Sequence, residues 1–369
     1  MSRIRLGDVA ERLNIKVDQA TTDLEFYIGG EHIESSEFTT HYKALIKGST
    51  IGYQFQFGFR KGDILFMTKN PHLRKCTMAT FDGICSIATF VIHTKSDLLL
   101  QDYLLFEMQS DRFWQYCEDH KSGGVNYFIN WGTLSDYEFD LPSMEEQKVL
   151  ADKLWAAYRV KEAYRQLLST TDDMLKAKFQ EMFGDFLVND RNWPTMPMSE
   201  VAPESPSKHG NKGNVWNLNL DMIESNTGIV IEKVYAPFED LNSVSAFDKG
   251  NVLYSKLRPY LNKVVVPDEE GYATTELIPL RPNPEFLNLC FFSHLLRSDK
   301  FVAYANSIAT GTKMPRVPMD GLRKFNCILP PMELQQQFAE IATQAEATKA
   351  SLRASIGAID RVIRSLINQ

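Results

Sequence analysis

The chain has 369 residues, 44% hydrophobic and 24% charged, with a formal net charge of −7. That composition excludes a disordered or fibrous chain and leaves room for two or three folded domains. No run approaches the roughly 18 consecutive apolar residues of a membrane span, and the opening MSRIRLGDVA lacks the apolar core of a signal peptide, so a cytoplasmic protein without membrane association is expected.

In chain order, FGFRKGDILFMTK (57–69) places a Lys61-Gly62 turn before a β-rich run, and DGICSIATFVIH (82–93) reads as further strand. LLLQDYLLFEMQSDRFWQYC (98–117) has apolar residues at helical spacing with Ser110-Asp111 near its middle, which predicts a helix. A loop holding Ser122-Gly123-Gly124 leads to a strand that Pro142 stops. Ser143 and Glu146 then form an S-x-x-E capping box. Leu150, Leu154, Ala157, Tyr164, Leu168, Thr171 and Leu175 follow at alternating three and four spacing, up to Gly184. A helix over 143–183 is expected.

After it the order starts again. AFDKGNVLYSKL (246–257) and EGYATTELIPLRP (270–282) read as strands, FLNLCFFSHLLRSDKFVAYA (286–305) as a helix, and Thr310-Gly311-Thr312 as a glycine loop. Pro330-Pro331 precedes a final apolar stripe of Phe338, Ile341, Ala345, Thr348, Leu352, Ile359, Val362 and Leu366. The stretch LPSMEEQ at 141–147 is matched by LPPMELQ at 329–335. At that same offset, 61–147 aligns without gaps on 249–335 with 19 identities in 87 positions, against roughly one in sixteen by chance. A period this long is a duplicated domain, not a solenoid. LGDVA at 6–10 and MSEVA at 198–202 extend it upstream.

The chain therefore divides into two α+β domains, 1–142 and 184–330, each a set of small twisted β-sheets with helices, followed by long helices at 143–183 and 331–369. Each rod is about 60 Å long at about 1.5 Å per residue, and its narrow apolar stripe calls for a partner. An antiparallel coiled coil between the two copies, with a seam of Leu150, Leu154, Ala157, Tyr164, Leu168, Leu175, Phe338, Ile341, Ala345, Leu352, Ile359 and Leu366, fits better than two helices each covering its own domain.

SIATGTKMPRVPMDGLRKFNCILPPMELQQQF (307–338), with KGNVLYSKLRPYLNK (249–263) and WPTMPMSEVA (193–202), resembles the specificity subunit of type I restriction-modification systems over essentially the whole chain. The first copy departs from this signature, with HKSGGVNYFINWGTLSDYEFDLPSMEEQ (120–147) where the second has ATGT and LPP. The resemblance implies two target-recognition domains joined by paired antiparallel helices, and a non-catalytic subunit. Its expected partners are double-stranded DNA, two modification methyltransferase subunits that carry S-adenosylmethionine and methylate adenine, and restriction/translocase subunits. No cofactor is expected in this chain. The alternatives are a coiled-coil interaction scaffold and, less favoured, an unrecognised DNA-modifying enzyme.

Motifs agree with a non-enzyme. Asn70-Pro71-His72 and Tyr27-Ile28-Gly29-Gly30 are the nearest approaches to an adenine methyltransferase signature, and both read as turns. No phosphate loop or HExxH occurs, no metal site is expected, and the five cysteines (Cys76, Cys85, Cys117, Cys290 and Cys327) read as reduced core thiols. No segment is basic overall, so DNA contact rests on local clusters. The candidates are Lys69, Arg74, Lys75 and Lys121 in the first copy. In the second they are Lys208 and Lys212 in the loop SPSKHGNKGN, then Lys256, Arg258, Lys263, Lys313, Arg316, Arg323 and Lys324.

Overall fold

A computed structural model of the protein describes residues 2–207 and 213–369. The chain forms two compact units: unit 1 is Met1–Gln166 with Leu352–Gln369, and unit 2 is Leu167–Ser351. Both are built on one plan.

Unit 1 holds a four-stranded antiparallel sheet in the order Ala10–Leu13, Thr89–Thr94, Ile64–Met67, Cys76–Met78. A second sheet runs Ala44–Leu45, Phe26–Ile28, Gly83–Ser86, Phe55–Phe59, with one parallel pairing between Phe26–Ile28 and Gly83–Ser86. Ser2–Arg5 pairs antiparallel with Glu138–Leu141. Unit 2 repeats the scheme. Val264–Val265, Val252–Ser255 and Leu277–Leu280 form one sheet. Val234–Pro237, Asn214–Leu218, Gly271–Thr274 and Val244–Phe247 form the other, again with a single parallel pair. Thr195–Pro197 pairs with Asn326–Ile328.

Where one helix is expected at 98–117, the structure has two, Gln101–Glu107 and Asp111–Asp119. The shared Ser-Asp marks the break. The Ser110 hydroxyl accepts the Phe113 N–H at 3.2 Å and starts the second helix. Ser298 does the same for Phe301, between helices Leu289–Arg297 and Asp299–Ile308.

The central helix spans Met144–Phe183 and the C-terminal helix Met332–Ile367. The capping box forms as expected, with the Ser143 N–H donating to Glu146 Oε2 at 2.8 Å and the Glu146 N–H donating to Ser143 Oγ at 3.3 Å. Gly184 ends the helix at φ +75°. In unit 1 the start of the central helix (Ala151, Leu154, Tyr158) shares a core with Ile363 near the end of the C-terminal helix. In unit 2 the end of the central helix (Leu175, Phe179, Phe183) packs with Phe338, Ala342 and Ala345 near the start of the C-terminal helix. The two helices are therefore antiparallel.

Of the expected seam, Leu154, Leu175, Phe338, Ala345 and Leu352 are buried, while Leu150, Ala157, Tyr164, Leu168, Ile341, Ile359 and Leu366 are half-buried. The stripe also contains Lys161 and Lys349, only 5% and 4% exposed. These lysines are repeat mates, and so are the aspartates they pair with across the helices: Lys161 with Asp360 at 2.8 Å and Lys349 with Asp172 at 2.5 Å. Each unit thus contains the same ion pair between helices, with the roles of the helices exchanged.

The repeated junction has an equally specific job. Gln147 is fully buried; its Nε2 donates to the carbonyls of Leu98 and Pro142, and its Oε1 accepts the N–H of Leu100. Gln335, also fully buried, donates to Phe286 and Pro330 and accepts from Asn288, each partner again the repeat mate of its counterpart. The glutamine of the motif bolts the long helix to the domain that precedes it.

Candidate nucleic-acid interface

In each unit a short 3-10 turn supports a glycine loop. The first turn, Pro71–Leu73, is flanked by Asn70 (φ 53°) and Arg74 (φ 49°), both left-handed; the second, Pro259–Leu261, is flanked by Arg258 (φ 48°) and Asn262 (φ 47°). Non-glycine residues held there cost about 1–3 kcal/mol each, so the surrounding bonds hold the turn in place. Ser122 and Phe128 exchange backbone hydrogen bonds at 2.8 and 2.9 Å, closing the first loop, and Thr310 and Arg316 close the second, both at 2.9 Å. Gly123 and Gly311 sit at φ +99° and +103°; a Cβ on Gly123 would lie 2.5 Å from the Asn126 carbonyl oxygen. Each loop docks on its turn through one bond, Asn70 N–H to the Tyr127 carbonyl (2.9 Å) and Arg258 N–H to the Pro315 carbonyl (2.7 Å).

The side chains presented on this shared backbone differ. The first loop shows Lys69, Val125 (92% exposed) and Phe128; the second shows Arg258, Tyr260, Lys313, Met314 and Arg316, all exposed. Where one copy has Lys69 and Phe128, the other has Leu257 and Arg316.

Several of the expected cations have partners inside the fold. Arg74 pairs with Asp111 at 2.5 Å, Lys121 with Glu118 at 2.5 Å, Arg316 with Glu276 at 3.0 Å, and Arg323 with Glu204 at 2.7 Å. The hydrogen bonds to Glu118 and Glu204 raise the pKa values of Lys121 and Arg323. Lys75 and Lys263, repeat mates, each donate to a backbone carbonyl, that of Gly30 (2.5 Å) and Leu220 (2.6 Å). Among the described residues, Lys69, Arg258, Lys313 and Lys324 are exposed, and with half-buried Lys256 they have no side-chain partner. Lys208 and Lys212 lie outside the described residues.

Glu37, His41 and Glu162 are the one group of potential metal ligands close together among the described residues. Lys161 and Arg165 already grip Glu37, which leaves that carboxylate no spare charge for a cation. Burial raises the thiol pKa of Cys76, Cys85, Cys117 and Cys327, the behaviour of inert core residues, and also that of Cys290, which is half-buried at the edge of the unit 2 core.

Comparison with known proteins adds to this geometry. The family model for the type I restriction modification DNA specificity domain matches residues 1–167 and 201–359. The specificity subunit of the Escherichia coli type I restriction enzyme EcoDI is 20% identical over 326 positions, covering 76% of this chain and 70% of that protein. Among solved structures, a chain from a study of assembly and conformational transition in a type I restriction-modification system aligns with TM-score 0.55 at 18% identity, covering 99% of this chain and 96% of the other. The S subunit of such a system from M. genitalium aligns with TM-score 0.55 at 12% identity, covering 99% and 94%.

Proposed function

The chain belongs to the type I restriction-modification DNA specificity family, and from that premise we propose that it is the specificity subunit of such a system, each unit reading one half of a two-part duplex target. The observation that carries this is the loop built twice on one backbone plan with different side chains at its tip. A reader of two unequal half-sites needs that combination, because backbone and phosphate contacts set position while side chains at base edges set sequence. Lys69 and the residues around Gly123 serve one half-site; Arg258, Lys313 and Arg316 serve the other.

The chain itself is non-catalytic. Its partners are double-stranded DNA, two methyltransferase subunits that bind S-adenosylmethionine and methylate adenine, and restriction/translocase subunits, in the cytoplasm. The paired helices set the gap between half-sites and dock the methyltransferases. With few unpaired cations and a net charge of −7, the chain binds DNA weakly alone and tightly only with its methyltransferases.

The test is to co-express the chain with a type I methyltransferase and sequence the methylated adenines. Exchanging residues 310–316 for those of a relative is expected to change one half-site and leave the other and the gap unchanged. If both half-sites change, or neither does, the loops are not the readers. Absence of salt-dependent DNA binding by the complex would favour a protein-interaction scaffold instead.

A further inference from the structure

Unit 2 contains a cavity of about 320 Å³ between its two long-helix segments and the turn at Asn226-Thr227. Unit 1 has its counterpart, about 280 Å³, at the equivalent place. Ser36 and Asn226 are both left-handed (φ 58° and 67°), and their N–H groups donate to Arg74 and Leu261 at the end of the 3-10 turn. The next residues, Glu37 and Thr227, are therefore equivalents. Their carbonyls are met the same way, by Gln109 Nε2 at 3.3 Å and by Arg297 Nη1 at 2.9 Å, and these two donors are repeat mates.

The chemistry of the two cavities is inverted. Unit 1 supplies its own anion: Glu37, 7% exposed, receives Arg165 at 2.6 Å, Lys161 at 3.2 Å and the Tyr158 hydroxyl at 3.1 Å. Burial alone would raise its pKa, but Arg165 and Lys161 outweigh that and hold it below the usual carboxylate range. In unit 2 Thr227 replaces this carboxylate, and Arg297 replaces neutral Gln109. Among the described residues Arg297 donates only to the Thr227 carbonyl and Ser293 Oγ, and its buried Nε has no partner there. No carboxylate among the described residues lies within ion-pair distance of it, and burial lowers its pKa below the ordinary arginine value.

The other charges around the wall are three lysines and four carboxylates, and Glu346 and Asp172 act on Arg297 from beyond ion-pair distance, opposing the lowering by burial. Lys349 bridges Asp172 and Glu346, and Lys176 meets Asp299. Lys300 is held by Asp185. The rest of the wall combines apolar Leu175, Phe179 and Phe186 with polar Gln180, Asn226, His294 and Ser298. Gly228 stands where unit 1 has the ring of Phe38; a Cβ there would collide with the Val264 carbonyl oxygen, so no side chain of that residue fills the space.

We propose that the unit 2 cavity binds a small carboxylate with an apolar body, its carboxylate on Arg297 and its body against Leu175, Phe179 and Phe186. Its volume sits at the small end of the roughly 300–1,000 Å³ range of ligand pockets. Bound there, the ligand supplies the anion that Glu37 supplies in unit 1 and fastens the long-helix segments to the turn at Thr227. This inference is independent of the DNA-reading proposal.

The test uses the full-length chain with phenylacetate and its neutral amide, phenylacetamide, followed by calorimetric titration. Phenylacetate is expected to bind saturably at one site, and the amide at least tenfold more weakly. Two variants borrow from unit 1: Arg297→Gln removes the cation, and Thr227→Glu installs a competing carboxylate. Each is expected to weaken phenylacetate binding at least tenfold. Equal binding of acid and amide, binding undiminished in a folded variant, or no saturable binding of phenylacetate would each overturn the proposal. The acid–amide comparison decides on the unmodified chain even if a variant fails to fold.

Discussion

Gln335→Met would remove one bolt while keeping nearly the same side-chain length and volume. Three groups lose their partner: the Asn288 N–H and the carbonyls of Phe286 and Pro330, held at 2.8, 2.9 and 2.8 Å. A buried polar group left unpaired costs about 1–3 kcal/mol. Taking the low end for the two carbonyls, whose second lone pairs help relaxation, the loss is about 3–5 kcal/mol. The Asn288 side chain accepts the N–H groups of Cys290 and Phe291 at the start of helix Leu289–Arg297, so the damage is centred there. Amide hydrogen exchange at Asn288 is expected to accelerate by roughly 150-fold or more, since about 1.36 kcal/mol is a factor of ten. In urea, with a slope of about 1–3 kcal/mol per molar, the unit 2 transition is expected to fall by roughly 1–5 M. Gln147→Met is expected to do the same to unit 1, with Leu100 as the exposed amide. A loss below about 0.5 kcal/mol, the least that one ordinary hydrogen bond contributes, together with unchanged exchange at Asn288, would refute the bolt.

Two further outcomes are expected. His294, edge-on to Phe338 at 5.1 Å, has its pKa driven well below 6.5 by burial first and then by Arg297 and Lys349. Its neutral form is bound into the fold, so its contribution is complete above the unfolded pKa of about 6.5 and is lost as pH falls below it towards the depressed native value, at up to about 1.4 kcal/mol per pH unit. His294→Phe, the residue at the repeat-mate position 106, is expected to flatten stability between pH 6.5 and 5, and parallel curves for the two proteins would exclude the histidine as the cause. Lys69→Ala and Lys313→Ala are each expected to reduce the salt slope of DNA binding by the methyltransferase complex by about 0.9; slopes unchanged within error would take these lysines off the phosphates.

The duplicated α+β plan was legible because the motif Leu-Pro, its capping box and the Lys-Gly turns are local signals that survive in both copies. The buried lysines were missed because a charge on a helix reads as solvated, yet the repeat continues through Lys161/Lys349 and Asp172/Asp360 and marks them. Ser110 and Ser298 were legible as a shared dipeptide but not as helix starts, since the apolar spacing runs unbroken across the bend. Among the candidate cations, sequence places Lys75 and Lys263 beside Lys69 and Arg258. Only coordinates separate the first pair, spent on carbonyls, from the second, which face outward.

Unit 1 is assembled from two segments far apart in the sequence, Met1–Gln166 and Leu352–Gln369. Its core includes Ile363, and its Asp111 N–H donates to the side chain of Asn368 at 2.8 Å. During synthesis unit 1 is thus begun before unit 2 and finished after it, because its closing helical segment is translated only after all of unit 2. A chain cut short by premature termination would lack that segment, so the same economy of construction that lets one helix serve two modules also withholds a complete first reader from an incomplete product.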